Sequence, residues 1–166
     1  MPRSRQPRWP LMVGCCNDES AVIVLNPITV QNWETAASLE VDEHQRGFIR
    51  SNAWSIAESL YYPELKPFGI YRGGTMVGFL MYGSAQQDGS AWIFRIMIDK
   101  RFQGQGLGRE ALHRVIQRMR DEGYSEINIG WDPENQVAEQ LYLREGFEPT
   151  GIAEWGEKTA RLVLTP

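Results

Sequence analysis

The stretch Gln103-Gly104-Gln105-Gly106-Leu107-Gly108 sets three glycines at alternate positions directly before a helical pattern. Glycine costs a helix about 1 kcal/mol relative to alanine, so its clustering at a helix start predicts a need for bare backbone. Successive N–H groups there, reinforced by the helix dipole, would converge on an anion, and the missing Cβ atoms would let it come close. Two glycine-rich anion turns do not fit. The dinucleotide fingerprint requires a third glycine where Arg109 stands, and the P-loop requires a Gly-Lys-Ser/Thr that is absent. The pattern that fits is Gln/Arg-x-x-Gly-x-Gly/Ala between a strand and a long amphipathic helix, with a pyrophosphate as the expected anion. For the glycines alone, a plain connecting turn is the alternative.

The elements that must position this turn follow from hydrophobic patterning. A β-branched run over 21–25 ends at Pro27, and Thr29 is a candidate cap for a helix over 30–39. A second helical region covers 43–62 in two pieces, with Ser51 capping the latter and Pro63 stopping it. Segments 68–71 and 76–82 flank Gly73-Gly74, a hairpin signal. After Asp88-Gly89, the near-continuous apolar run 92–98 predicts a central strand buried on both faces, with Arg95 the exception. Leu107, Ala111, Leu112, Val115, Ile116 and Met119 form one helical face that ends at Gly123. A strand over 127–130, a helix over 135–145 closed by Gly146, and strands near 148–153 and 159–164 complete a mixed α/β domain.

Composition sets the outer bounds. The 166 residues with 42% hydrophobic content fit one domain over 21–166 with a sizeable core, behind an N-terminal tail over 1–20. No apolar run approaches the roughly 20 residues of a membrane span, and Pro10 and Gly14 spoil a signal-peptide core. Arg3, Arg5 and Arg8 against Asp18 and Glu19 leave the tail at +1 and the rest of the chain at −5. That mild acidity disfavours nucleic acid and tolerates a cationic substrate. The only cysteines, Cys15 and Cys16, are adjacent and offer neither a disulfide nor metal-ligand spacing, so a reducing cytoplasm is expected. Met12 is a second candidate for the start of the chain.

About thirty residues after the glycine turn stands Asn135-Gln136-Val137-Ala138-Glu139-Gln140-Leu141-Tyr142-Leu143-Arg144-Glu145-Gly146-Phe147. With these two motifs in this order, the chain from about residue 21 resembles the GNAT superfamily of acetyl-CoA-dependent N-acetyltransferases. The stretches 55–59, 76–83 and 94–104 look like bacterial diamine or spermine/spermidine N-acetyltransferases. The resemblance implies the GNAT fold: a mixed central sheet of six or seven strands, splayed at the strand before the glycine turn, with about four helices. It further implies acetyl-CoA as co-substrate, a small-molecule amine as partner, no metal, no membrane or nucleic-acid partner, and a homodimer as an allowed assembly.

Acetyl transfer to an amine needs a neutral nitrogen, a stabilised oxyanion and a proton for the departing thiolate. By the resemblance, Ile96, Met97 and Ile98 pair with pantetheine like an added strand while a backbone N–H binds the thioester oxygen. Gln103, Gly104, Gln105, Gly106, Leu107, Gly108 and Arg109 hold the pyrophosphate, and Asn135 pairs with the pantetheine arm, caps its helix, or does both. Tyr142 occupies the family's general-acid position, its hydroxyl of ordinary pKa about 10 donating to the thiolate; packing under the sheet is its blander role. Some polyamine acetyltransferases carry a glutamate where this chain reads Ile93-Phe94-Arg95, so that base is missing here. Glu58 beside Trp54, Tyr61 and Tyr62 is the substitute, since a carboxylate with aromatic faces suits a dication; a solvated glutamate is the alternative. Arg95 is expected to pair with an acid, and His44 to lie at the surface. The expected reaction is direct attack of a polyamine on acetyl-CoA with Tyr142 and Glu58 catalytic. The rivals are another acceptor (a protein N-terminus, a lysine, an aminoglycoside), an idle CoA-binding sensor, and a nucleotide-binding module.

Overall fold

A computed structural model describes residues 22–85 and 90–164. The expected tail, its cysteines, Met12 and the Asp88-Gly89 turn lie outside the described residues. Along the chain run β1 (Ile23–Pro27), α1 (Trp33–Ser38), a 3-10 turn (Glu43–Gln45), α2 (Asn52–Tyr61), β2 (Leu65–Arg72), β3 (Thr75–Ser84) and β4 (Ala91–Ile98). Then follow α3 (Leu107–Asp121), β5 (Glu126–Trp131), α4 (Gln136–Arg144), β6 (Glu148–Ile152) and β7 (Lys158–Val163). One seven-stranded sheet has the order β1-β2-β3-β4-β5-β7-β6, antiparallel throughout except for the parallel β4–β5 pair. No helix of the described residues is long and apolar enough to cross a membrane.

Side-chain alternation along β3 builds both halves of the core, because successive residues of a strand point to opposite faces. Leu80 and Tyr82 join a cluster with Leu112, Val115 and Met119 of α3, while Phe79 and Met81 join one with Ala36 of α1 and Leu39 beyond it. The sheet is therefore the middle of three layers, with α1 and α2 on one side and α3 and α4 on the other. The strand expected to be buried on both faces is β4, but β3 has that character; only Ala91, Ile93 and Met97 of β4 are buried.

Two helix starts contrast. Ser51 caps α2 as expected, its Oγ accepting from the Trp54 N–H at 3.2 Å. The first helix begins later than 30, because Asn32 holds 29–32 as a turn: its Oδ1 accepts from the Thr29 N–H at 2.7 Å and its Nδ2 donates to the Pro27 carbonyl at 3.0 Å. An Asn that can satisfy two backbone groups outside a helix competes with helix propagation.

The feature that opens the largest gap in the strand pairing lies between β4 and β5. Their pairing is confined to Trp92↔Asn128 and Ile93↔Ile129, after which the strands part. On the other side of β4 the register with β3 jumps from Met81↔Arg95 to Tyr82↔Ile93, leaving Phe94 as an extra residue. Such a bulge bends and twists its strand, here away from β5.

Candidate active site

The parted strands open a cavity of about 490 Å³ whose walls come from both layers. Arg95, Ile96, Met97 and Ile98 form one side, Ile129, Gly130 and Trp131 the other, and α4 contributes Tyr142. A second hollow of about 220 Å³ adjoins it at the glycine turn and shares Gln103 and Gly108 with it. The predicted phosphate cradle and the predicted chemical site thus form one connected trough.

Gly104 and Gly106 take left-handed φ values of 76° and 77°, where a Cβ costs roughly 1–2 kcal/mol. A Cβ built on either would meet nothing within 4 Å, so the space in front of the turn is open to a ligand. Gln103 anchors the turn rather than reaching outward: its Nε2 donates to the Ile98 carbonyl at 2.9 Å and to Gln45 Oε1 at 2.8 Å. Gln105 accepts from Arg72 at 2.8 Å, and the Leu107 side chain is in the core. Arg109 donates to Glu145 at 2.6 Å, and His113 also contacts that carboxylate. Burial alone would raise the Glu145 carboxyl, but hydrogen bonds from His113 and Arg109 hold it below the ordinary range. One carboxylate thereby ties α3, which carries the cradle, to the end of α4.

Asp99 fixes the other end of the turn. Although 2% exposed, it accepts from the Glu40 and Arg101 N–H groups, each at 3.0 Å, and from Arg101 Nε at 2.7 Å. Burial pushes its carboxyl up, and these hydrogen bonds outweigh that and hold it below the usual range.

Asn135 caps α4, its Oδ1 accepting from the Ala138 N–H at 3.1 Å, and the residue lines the cavity. Two turns along, the Tyr142 ring packs between Trp131 (centroids 5.5 Å apart) and Phe147 (6.0 Å). The ring therefore packs under the sheet, the blander of the two expectations, and it also lines the cavity. Burial, and then the negative charge of Glu157, raise the hydroxyl well above its ordinary value, so it keeps its proton across the neutral range. Trp131 Nε1 is buried without a protein acceptor among the described residues, an unused donor in the cavity wall that fits a polar ligand.

Arg95 lies in the cavity wall with its Nη2 3.6 Å from Glu58 Oε2. Burial lowers the guanidinium, and the charges of Glu58 and Glu157 oppose that. Glu58 itself is not among the residues of the cavity wall. Trp54 lies on the same helical face and is covered by the Arg50 guanidinium, 5.3 Å from its centroid, while Tyr61 is 81% exposed. His44 is exposed and contacts Asp42 at 3.1 Å. Among the polar wall residues that sequence reasoning missed are Gln45, Arg50 and Glu157; Glu157 belongs to no motif, and only the sheet order brings it beside Gly130.

A sequence profile described as the acetyltransferase (GNAT) family matches residues 30–147. The chain is 31% identical over 144 residues to a spermine/spermidine N(1)-acetyltransferase of Bacillus subtilis, covering 82% of this chain and 95% of that protein. A PaiA N-acetyltransferase of Thermoplasma acidophilum, solved in complex with coenzyme A, superposes with a TM-score of 0.67 at 15% identity, covering 86% of this chain and 99% of that one. A Salmonella typhimurium acetyltransferase that modifies the N-terminal serine of ribosomal protein L7/L12 gives a TM-score of 0.68 at 16% identity, covering 87% and 96%.

Proposed function

Since the chain belongs to the acetyltransferase (GNAT) family, we propose that it transfers an acetyl group from acetyl-CoA to a primary amine, a diamine or polyamine such as spermidine or spermine, by direct attack. The observation that carries this reading is the trough that joins the glycine cradle to Tyr142 through the gap between β4 and β5. Backbone N–H groups of 104–109 would hold the pyrophosphate, with Gln103 and Arg109 fixing the turn from behind. The stretch Ile96, Met97 and Ile98, which β5 leaves without a partner strand on that side and which lines the cavity together with Asn135, would take the pantetheine arm, since an extended ligand completes a strand edge by backbone hydrogen bonds.

Bound acetyl-CoA supplies an activated acyl carbon and a thiolate leaving group. Tyr142 then delivers its proton to the sulfur as the C–S bond breaks; the hydroxyl, raised by burial and by Glu157, is protonated across the neutral range and so has that proton to give. On the acceptor side, Glu58 offsets Arg95, and Trp54, Tyr61 and Tyr62 offer faces for an alkyl-ammonium chain beyond it. The substrate class draws on the 31% identity to a spermine/spermidine acetyltransferase over most of the chain.

Free-thiol release from acetyl-CoA, followed with spermine, spermidine, a simple monoamine, an aminoglycoside and a peptide with a free N-terminus, tests the reading. The expected result is the highest kcat/KM for the polyamines. Equal values for polyamine and monoamine would refute the polyamine assignment. Tight acetyl-CoA binding without turnover on any amine would refute the enzymatic one.

A further inference from the structure

Acetyl transfer needs a neutral nitrogen, a carboxylate is a common group to take its proton, and in this chain Arg95 stands where a strand glutamate would serve some relatives. Glu58 is already set against that arginine and lies outside the cavity wall. Glu157, at the entry to β7, lines the cavity with Tyr142 and Arg95. Its position is fixed from two sides. Oε2 accepts from Trp155 Nε1 at 2.8 Å, and the same oxygen occupies the notch left by Gly130, where a Cβ would come within 2.8 Å of it. Oε1 accepts no hydrogen bond from the described residues.

We propose that Glu157 receives the reacting amine of the acceptor, binding its ammonium group and taking the proton that frees the nitrogen lone pair. This rests on the acetyl-transfer reading and deepens it by naming the carboxylate at the reacting nitrogen. The charged and titratable groups facing Glu157 are Arg95 from β4, with Glu58 and Arg50 beyond it, and the Tyr142 hydroxyl from α4. Lys158, its chain neighbour, is engaged elsewhere, donating to Glu139 at 2.8 and 2.9 Å.

The proton count closes. The ammonium gives one proton to Glu157, and the neutral nitrogen forms the N–C bond to the acyl carbon. The C–S bond breaks, and the thiolate takes the Tyr142 proton. The acylated nitrogen, carrying one proton too many, restores Tyr142, and Glu157 releases its proton to solvent. A primary ammonium and a thioester become an amide, a thiol and one free proton.

The test compares wild type, Glu157→Gln, Glu58→Gln and Gly130→Ala, each checked for folding and for acetyl-CoA affinity. In Glu157→Gln, kcat/KM for the preferred amine at neutral pH should fall about a hundredfold, the usual loss when an acid–base group is removed. Acetyl-CoA affinity should stay within about twofold. The deficit should shrink by about tenfold per pH unit toward the free amine's pKa of about 10.4, because solution then supplies the neutral amine. A merely structural role would not move this profile. Gly130→Ala, whose methyl displaces the carboxylate, should show the same trend more weakly. Calorimetric binding of spermidine in the presence of coenzyme A, which cannot react, should also weaken in Glu157→Gln. A Glu157→Gln enzyme within about threefold of wild type, or with a pH-independent deficit, overturns the proposal. If wild type acetylates another amine instead of polyamines, the same variants are measured with that amine, so the polyamine reading falls while Glu157 is still decided. If the folded wild type acetylates no amine, both fall.

Discussion

Gly108 offers a substitution in which fold stability and ligand binding should move in opposite directions. It is the second residue of α3, and unlike Gly104 and Gly106 it has no positive φ. A Cβ there would lie 3.7 Å from Ile98 Cγ1, an ordinary contact, so nothing in the protein itself requires glycine. Gly108→Ala should therefore stabilise the helix, by about 0.5–1 kcal/mol, or roughly 1–4 °C in Tm for a domain of this size. Yet Gly108 borders both the cavity and the adjoining hollow, so the added methyl enters the space assigned to the donor. Acetyl-CoA affinity should drop about tenfold, or about 1.4 kcal/mol, for alanine and about a hundredfold for valine, which puts two more methyls in the same place. Chemical denaturation and calorimetric titration with acetyl-CoA read the two quantities separately. Gly108→Val with unchanged affinity would refute the cradle. Gly106 is a poorer probe, because a side chain at φ 77° strains the backbone whatever binds there.

Three other perturbations follow from the site. Tyr142→Phe keeps the ring between Trp131 and Phe147 but removes the proton, so turnover should fall about a hundredfold or more with acetyl-CoA affinity nearly intact; comparable turnover across alkaline pH would exclude the hydroxyl. Glu58→Gln leaves Arg95 with one carboxylate fewer and should reduce the preference for spermine over a monoamine by about two- to thirtyfold in kcat/KM; an unchanged preference would remove Glu58 from acceptor recognition. Asp99→Asn should cost about 1.5–3 kcal/mol near neutral pH, since it weakens charge-assisted hydrogen bonds in a buried place. The Asp99 carboxyl is held below its ordinary value, so its contribution is present above about pH 4 and is lost as pH falls through the folded value. Denaturation curves of the two proteins should converge in acid, and a pH-independent difference would contradict this.

Elements with strong periodicity were legible in the chain. The face from Leu107 to Met119, the hairpin at Gly73-Gly74 and the capping Ser51 each follow from contacts a few residues apart, and all three occur. The start of α1 was misjudged because Asn32 reaches back to Thr29 and Pro27, a competition that propensity does not register. Within the site, the pairing of Arg95 with an acid was foreseeable, since a guanidinium in an apolar strand must find a carboxylate. That Glu157 shares the charge was not, because β7 inserts between β5 and β6, and only that order brings Glu157 over Gly130. Gln103 was read as a ligand contact, whereas its amide is satisfied by Ile98 and Gln45, which depends on where the 3-10 turn comes to rest.

The parting of β4 from β5 also bears on how the two reactants of the proposed transfer would reach one another. Because the gap pierces the sheet, its walls include Phe48 and Arg50 from the α1–α2 side and Gly108 and Ala138 from the α3–α4 side. A sheet is normally a barrier between two layers; here it is a window frame. A donor seated along the helices that follow the glycine turn would fill the opening from one side and leave the other mouth for the acceptor. The two molecules would then meet at a single aperture without sharing an entrance, and neither would have to depart before the other arrives.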